Sequence, residues 1–492
     1  MKNKIYIIAL FLGWVCHSQS YITSLPFVMK KDGKSFSYVD KSKDESYVFI
    51  SNAKKVRIVH YDNKFNSLDT LMTPIPGKKT DNMIGFTKNE SSINLIWTTN
   101  NAEKFLFQNL DFKTKKVTIT SKELNFNRQN VVQTFSTNDA FYCLAVVEQS
   151  SVLKLYRFSN QNELEVKTFD FSTTSFSDSN NESSNLYDLF EESFESIEAS
   201  FELQNMDVSL PNSLAICAKK RKAYLTEKEL VLTFDNNYTS TQVVKINLTD
   251  YTSASFIINK PEEKIVTHQS NSYFFEGNLY QFKVSKFLLL MSIKNLNGEV
   301  IKDFSTDSHT EISYKNSDFL CEWVNKHQEK NIENTYQFVT KLSDYKVGIS
   351  CYNYNGKNLI SFGGVSNRIK KIDPNEDDYN NSGVPLIPFQ YGAIGGLLYA
   401  TAFVLLGGYD GTSFFYNNYK SSRNIISVNA LFSKNFDQES DKINSFSGTK
   451  MCSYFNGFAE IKYPTFFSTN GKAYVGYYNE DAKQYVIMKF EN

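Results

Sequence analysis

Oxygen-bearing side chains alternate in the run DPNEDD, where Asp373, Asn375 and Asp377 stand at the first, third and fifth positions of a calcium-type loop. Such a loop also needs a glycine at its sixth position and a bidentate glutamate at its twelfth. Here those places hold Asp378 and Val384. The segment reads as a solvated acidic loop, with a weak Ca²⁺ site as the sharper alternative and no other cofactor expected. No HExxH, GxSxG, Walker loop or paired-cysteine zinc spacing occurs. His60, His268, His309 and His327 each lack a second His or Cys at ligand spacing and read as surface or capping residues. Acids such as Asp318 or Asp410 could line a channel built from distant loops. Two carboxylates about 5–10 Å apart would there hydrolyse or eliminate across a glycosidic bond. The plainer reading gives those acids Asx-turn roles.

Residues suited to binding are denser. Residues 168–218 carry ten acids and no Lys, Arg or His. Their first half, rich in Ser and Asn, reads as a loop. Leu186, Phe190, Phe194, Ile197 and Phe201 then recur every three to four residues behind an N-cap at Ser184 or Asn185. That pattern predicts an acidic amphipathic helix, the one good helix after the first twenty residues. It docks by its Phe stripe on the rest of the fold, or else serves as a lid or partner-binding helix. Lys219, Lys220, Arg221 and Lys222 follow at once. They read as an internal charge pairing or a solvated turn, with an anionic-glycan or membrane-surface patch as the alternative. Phe190, Phe194, Ile197, Phe201 and these four cations are the partner-binding candidates.

These residues need a scaffold, and a repeat supplies one. An aromatic residue, a polar turn with Asn, Asp or Gly, and an apolar strand recur as FSTNDAFYCLAV from Phe135, YKNSDFLCEW from Tyr314 and FSTNGKAYVGY from Phe467. Looser copies start at Tyr38, Phe86, Tyr224 and Phe275, and most are followed by a second strand such as VRIVH from Val56. Strand starts near Tyr47, Asn94 and Phe141 fall 47 residues apart. Later starts, near Leu230, Leu279, Phe319, Leu398 and Ala473, are less regular, and residues 319–362 alone show four strand-like runs. A four-stranded propeller blade takes roughly 40–50 residues. The 41 Phe and 30 Tyr suit the apolar layers between stacked blades. The expected fold is therefore all-β: a β-propeller of seven or eight blades over residues 21–492, with one acidic helical insertion at 168–218. Two stacked β-sandwiches are the competing all-β arrangement.

One stretch adds a resemblance. AFVLLGGYDG from Ala402 resembles the strand, double glycine and turn of a kelch blade, and LISFGG from Leu359 is a second, poorer match. Kelch blades carry a late tryptophan, whereas Trp97 and Trp323 are the only two after residue 20. The resemblance, spanning residues 359–416, implies blade architecture and transfers no functional residue.

Compartment is read from the start of the chain. Lys2 and Lys4 precede eleven apolar residues, Ile5 to Val15, and SQS closes residues 1–20. This pattern predicts a signal peptide cleaved before Tyr21, hence a secreted, periplasmic or cell-surface protein. A lipoprotein through Cys16 and an uncleaved anchor are the alternatives. Cys143, Cys217, Cys321, Cys351 and Cys452 then remain, an odd and widely spaced set that reads chiefly as buried thiols, with one disulfide as the alternative. Residues 391–409 are uncharged but hold five glycines, so a buried strand pair is favoured over a membrane span. Lys+Arg and Asp+Glu are both 53, which argues against a nucleic-acid partner. The expected role is a binding or scaffold protein with a protein or glycan partner at the cell envelope. An extracellular glycan-active hydrolase or lyase is the alternative.

Overall fold

The computed structural model describes residues 19–491 apart from 30–33, 41, 53, 78–81, 100–103, 138, 195–197, 227, 263–268, 323–330, 367–423, 444–449, 452–453 and 455–461. The Asp373, Asn375 and Asp377 loop, Ile197, Cys452, His268, His327, Asp410, residues 391–409 and the kelch-like stretch from Ala402 lie outside the described residues.

Strand β1 (Gln19–Pro26) precedes three antiparallel meanders in which neighbours in the chain are neighbours in the sheet. The first blade is β2 (Lys34–Asp40), β3 (Glu45–Ser51), β4 (Lys55–Tyr61) and β5 (Ser67–Pro74). The second is β6 (Asn82–Lys88), β7 (Ser92–Thr98), β8 (Lys104–Asp111) and β9 (Val117–Glu123). The third is β10 (Gln129–Ser136), β11 (Ala140–Val147), β12 (Val152–Ser159) and β13 (Leu164–Asp170). A segment then intervenes: a two-stranded ribbon, β14 (Phe176–Ser177) with β15 (Ser183–Ser184), helix α1 (Leu186–Glu191), strand β16 (Gln204–Met206) and a helical turn α2 (Leu214–Cys217). The fourth blade follows as β17 (Arg221–Leu225), β18 (Glu229–Phe234), β19 (Ser240–Asn247) and β20 (Ser253–Asn259). The fifth is β21 (Gln269–Phe275), β22 (Asn278–Val284), β23 (Leu288–Asn295) and β24 (Val300–Asp307).

The last two blades borrow strands. β25 (Leu320–Glu322) and helix α3 (Thr335–Leu342) precede β26 (Lys346–Tyr354), β27 (Lys357–Val365) and β28 (Ile425–Phe432), and β25 pairs onto β28 as the outermost strand. The seventh blade is β29 (Lys462–Thr469), β30 (Lys472–Asn479) and β31 (Gln484–Phe490), completed by β1 from the start of the chain. Asn470 and Gly471, both at positive φ (52° and 67°), make the two-residue turn between β29 and β30, whose twist suits tightly paired strands. Among the described residues, seven sheets of four or five strands make the fold a β-propeller.

Burial explains why the sequence reads this way. β7 is buried at every position and β11 at all but the last, because each has a strand on both sides and a neighbouring blade on both faces. β9, an outermost strand, is exposed at six of its seven positions. Aromatic layers join the blades. Phe36, Phe49 and Tyr47 of the first blade pack with Phe86 and Trp97 of the second. Phe105 and Phe107 meet Phe141 and Phe158 of the third. Phe467, Tyr474 and Tyr485 meet Val48, Val59 and Tyr61, so the last blade packs on the first. A buried ion pair also crosses the first interface, Lys88 Nζ to Asp40 at 2.6 Å.

Two expectations need correction. In place of four strands in sequence, the described part of residues 319–362 holds the short outer strand β25, helix α3, and β26 and β27. Phe338, Val339 and Leu342 of α3 are buried, and their helical spacing reads as a short apolar run until it has a neighbour to pack on. The expected helix from Leu186 to Phe201 ends at Glu191. Asn185 is its N-cap, accepting from the Asp188 N–H. Beyond it, Phe194 and Glu198 form an isolated antiparallel bridge, and Phe201 turns back at φ 58°.

Candidate functional site

In a ring of blades the innermost strands surround an axial channel, where distant loops can meet. Here the chain fills that space with its own segment. β16 adds to the inner edge of the fourth blade, pairing parallel to β17 with Gln204 opposite Lys222 and Met206 opposite Tyr224. Leu210 then packs with Ala473, Val475 and Phe490 of the seventh blade, together with Met451 and Tyr454. The Asn212 amide donates to the Tyr273 hydroxyl of the fifth blade at 3.0 Å. Leu214, Ile216 and Cys217 of α2 pack on Val347 and Ile349 of the sixth. Gly348 lies so close that a Cβ there would sit 3.0 Å from the Ala218 nitrogen. A segment that touches the inner strands of blades four, five and six, and β30 and β31 of the seventh, crosses the middle of the ring. Residues 204–218 descend beside β17 and return along β26, forming a plug.

The four cations lock this plug. Lys219, Lys220, Arg221 and Lys222 are all buried, Arg221 and Lys222 completely. Arg221 pairs with the fully buried Glu198 through its Nε, and donates to the carbonyls of Leu189 (3.0 Å), Phe190 and Ala199 (2.7 Å). Those carbonyls belong to the last turn of α1 and the fold-back after it, so the guanidinium satisfies groups that continued helix would otherwise bind. This is the physical reason that the helix stops early. Glu198 also accepts from the Lys220 N–H at 2.5 Å, and Lys219 pairs with Glu202. Asp235, at the end of β18, accepts from Lys260 (3.0 Å), Lys222 (3.3 Å), Thr241 (2.8 Å) and the Ser272 hydroxyl (2.7 Å). Burial alone would raise its pKa, but the lysines and Ser272 hold it below the ordinary carboxylate value.

The binding candidates are therefore placed as follows. Phe190 and Phe201 are buried, in one cluster with Tyr142 and Leu144 of the third blade and Leu232 and Phe234 of the fourth. Phe194 is half-buried, its ring 5.8 Å from the Arg221 guanidinium. As a free partner-binding face, this Phe and Lys/Arg set needs correction: its described members face the protein's own interior. Asp318 is exposed and pairs with Lys442 at 3.5 Å beside the outer strand β25, away from the channel. His60 stacks on Tyr47 and bonds Glu45 at 2.9 Å, and His309 is exposed beside Asp307. Cys143, Cys217 and Cys351 are buried free thiols, and Cys321 is half-buried. Burial pushes the Cys217 thiol up to about 12.

Surface clefts lie away from the plug's core, two of them among the described residues. One, of about 400 Å³, lies between the fourth and fifth blades, beside Val208 of the plug and the Glu229–Lys245 pair. A wider one, of about 940 Å³, lies at the start of α3 with His309, Asn334 and Tyr336 on its wall. Sequence reasoning missed both, since each wall comes from segments far apart in the chain. Among the described residues no group of three or more His, Cys, Asp or Glu could hold a metal ion. No described helix is long and apolar enough to cross a membrane.

No family model matches the chain. No curated protein matches it either. Among solved structures it is similar to Kluyveromyces lactis Hsv2, at 9% identity over 73% of this chain and 80% of that one, with a TM-score of 0.29. It is similar to the WD40 domain of SCAP from fission yeast at 9% identity, over 70% and 85% of the two chains, with a TM-score of 0.28. It is also similar to cobalt-substituted Synechocystis ACO at 6% identity, with a TM-score of 0.29, covering 56% of this chain and 61% of that one.

Proposed function

We propose that this propeller is a non-enzymatic binding scaffold of the cell envelope, reached through a cleaved signal peptide and engaging a protein partner on its outer faces. One observation carries the reading: the axis of the ring, where propeller loops converge on a substrate, is occupied by residues 204–218 of the chain itself. A ring that has filled its own channel retains rigid blade faces and loops for display. A glycan partner fits the same surfaces, and a glycan hydrolase or lyase requires a carboxylate pair elsewhere. The experiment has two arms. Purified protein is incubated with envelope polysaccharides and new reducing ends are measured. In cells, a photo-crosslinker replaces Ile119, an exposed residue of the outer strand β9. The scaffold reading expects no sugar release, and one discrete protein adduct in the envelope fraction. Sustained sugar release by the wild type, or a protein confined to the cytoplasm, overturns it.

A further inference from the structure

We propose that the mouth of the plugged channel, between Lys220 of the fourth blade and Lys346 of the sixth, is a binding site for one oxyanion, a carboxylate or phosphate group. The inference is independent of the scaffold reading and rests on an excess of buried cations. An ammonium has three donors. Lys222 spends all three, on the carbonyl of Lys219 (2.6 Å), Asn271 Oδ1 (2.7 Å) and Asp235 (3.3 Å). Lys260 does the same with the carbonyl of Asn237 (2.8 Å), Ser270 Oγ (3.1 Å) and Asp235 (3.0 Å). Asp235 is thus shared between two lysines. Among the described residues Lys220 bonds one acceptor, the carbonyl of Ser270, at 2.7 Å. It is buried to 8% exposure, with the half-exposed Tyr238 ring 5.8 Å away. Lys346, half-buried at the start of β26, adds like charge to the same place. The Arg221–Glu198 pair behind them is internally balanced.

Among the described residues, three buried lysines face one carboxylate, which leaves a surplus of positive charge in a poorly solvated place, where an uncompensated cation is expensive. Two things relieve it: loss of a proton or gain of an anion. Burial, with Lys260 and Lys222 beside it, lowers Lys220 to about 7, although Asp235 opposes the shift. An arriving oxyanion accepts the two unused N–H donors of Lys220, faces Lys346, and restores the proton. Binding therefore takes up a proton and weakens as pH rises.

Sulfate and acetate serve as probes, because neither changes charge between pH 6 and 8.5. Melting temperature is titrated with each salt against sodium chloride at equal ionic strength, in wild type and in Lys220→Met, Lys346→Met and Lys315→Met. The expected result is a saturable rise with at least one probe, with an apparent affinity about 30-fold weaker at pH 8.5 than at pH 6. Lys220→Met and Lys346→Met lose the saturable part, and the distant Lys315→Met keeps it. A response to sulfate alone assigns a phosphate-type ligand, and a response to acetate assigns a carboxylate. A linear, non-saturating rise common to all variants is general salt exclusion and overturns the site. So does a saturable rise that Lys220→Met retains, or one that does not vary with pH. Lys346→Met lies at the half-buried rim and keeps the test open should Lys220→Met alter folding.

Discussion

Lys220 differs from a surface lysine in how it ties folding to pH. Its ordinary value is 10.5, and the folded protein lowers it to about 7. Between those values the unfolded chain binds more protons than the folded one, so this group's contribution rises with pH through that window and is flat below it. Urea denaturation of the anion-free protein should show stability growing from about pH 7 towards about pH 10, less steeply in Lys220→Met. An unchanged slope in the variant contradicts the assignment. The thiols make a second test. Cys143, Cys217 and Cys351 are buried, and burial raises all three pKa values. A thiolate-seeking reagent should leave them unmodified in the native protein and reach them once urea is added. Rapid native reaction at any of the three contradicts their burial. Only part of this scale was legible. The FYCLAVV setting marks Cys143 as a core thiol. The KKRK run left open whether its charges pair internally or face a partner, because the answer depends on Glu198, Asp235 and Lys260, which lie 13 to 41 positions from it or on another strand.

At the element scale, strands were legible where packing is symmetrical. The starts near Tyr47, Asn94, Phe141, Leu230, Leu279 and Ala473 all fall in second strands of blades, the ones buried on both faces. Outer strands such as β9 are polar and exposed and give little signal. The helix over the Phe stripe was misread beyond Glu191. The stripe is real, since Phe190 and Phe201 are both buried, but a bridge and a turn place them on the same cluster without helix. Arg221 sets the alternative. Replacing it with Leu leaves Glu198 buried and unpaired, and should cost about 3–5 kcal/mol in urea denaturation. A loss below about 1 kcal/mol contradicts the lock. Deleting residues 21–26 removes the strand that covers β31. The bared edge is a template for pairing with another chain. Size-exclusion chromatography should then show a lower melting protein that self-associates; a monomer of unchanged stability contradicts the closure.

The whole molecule is a ring tied at its ends by β1 and filled at its centre by residues 204–218. The propeller was legible from a 47-residue spacing and from an aromatic supply sized for inter-blade layers. The plug was not, because nothing local distinguishes QNMDVSLPNSLAICA from an ordinary loop; its meaning lies in touching four blades at once. Part of the charge pattern is explained too: of the ten acids in residues 168–218, Glu198 pairs with the buried Arg221 and Glu202 with the buried Lys219. The central claim is that the plug occupies the axis. A photo-activatable leucine analogue at position 210, with crosslinked peptides mapped by mass spectrometry, tests it most directly. The account predicts intramolecular crosslinks to residues 473–490 of the seventh blade and to Met451 or Tyr454. Crosslinks confined to residues 170–220, or made only to other molecules, would contradict it.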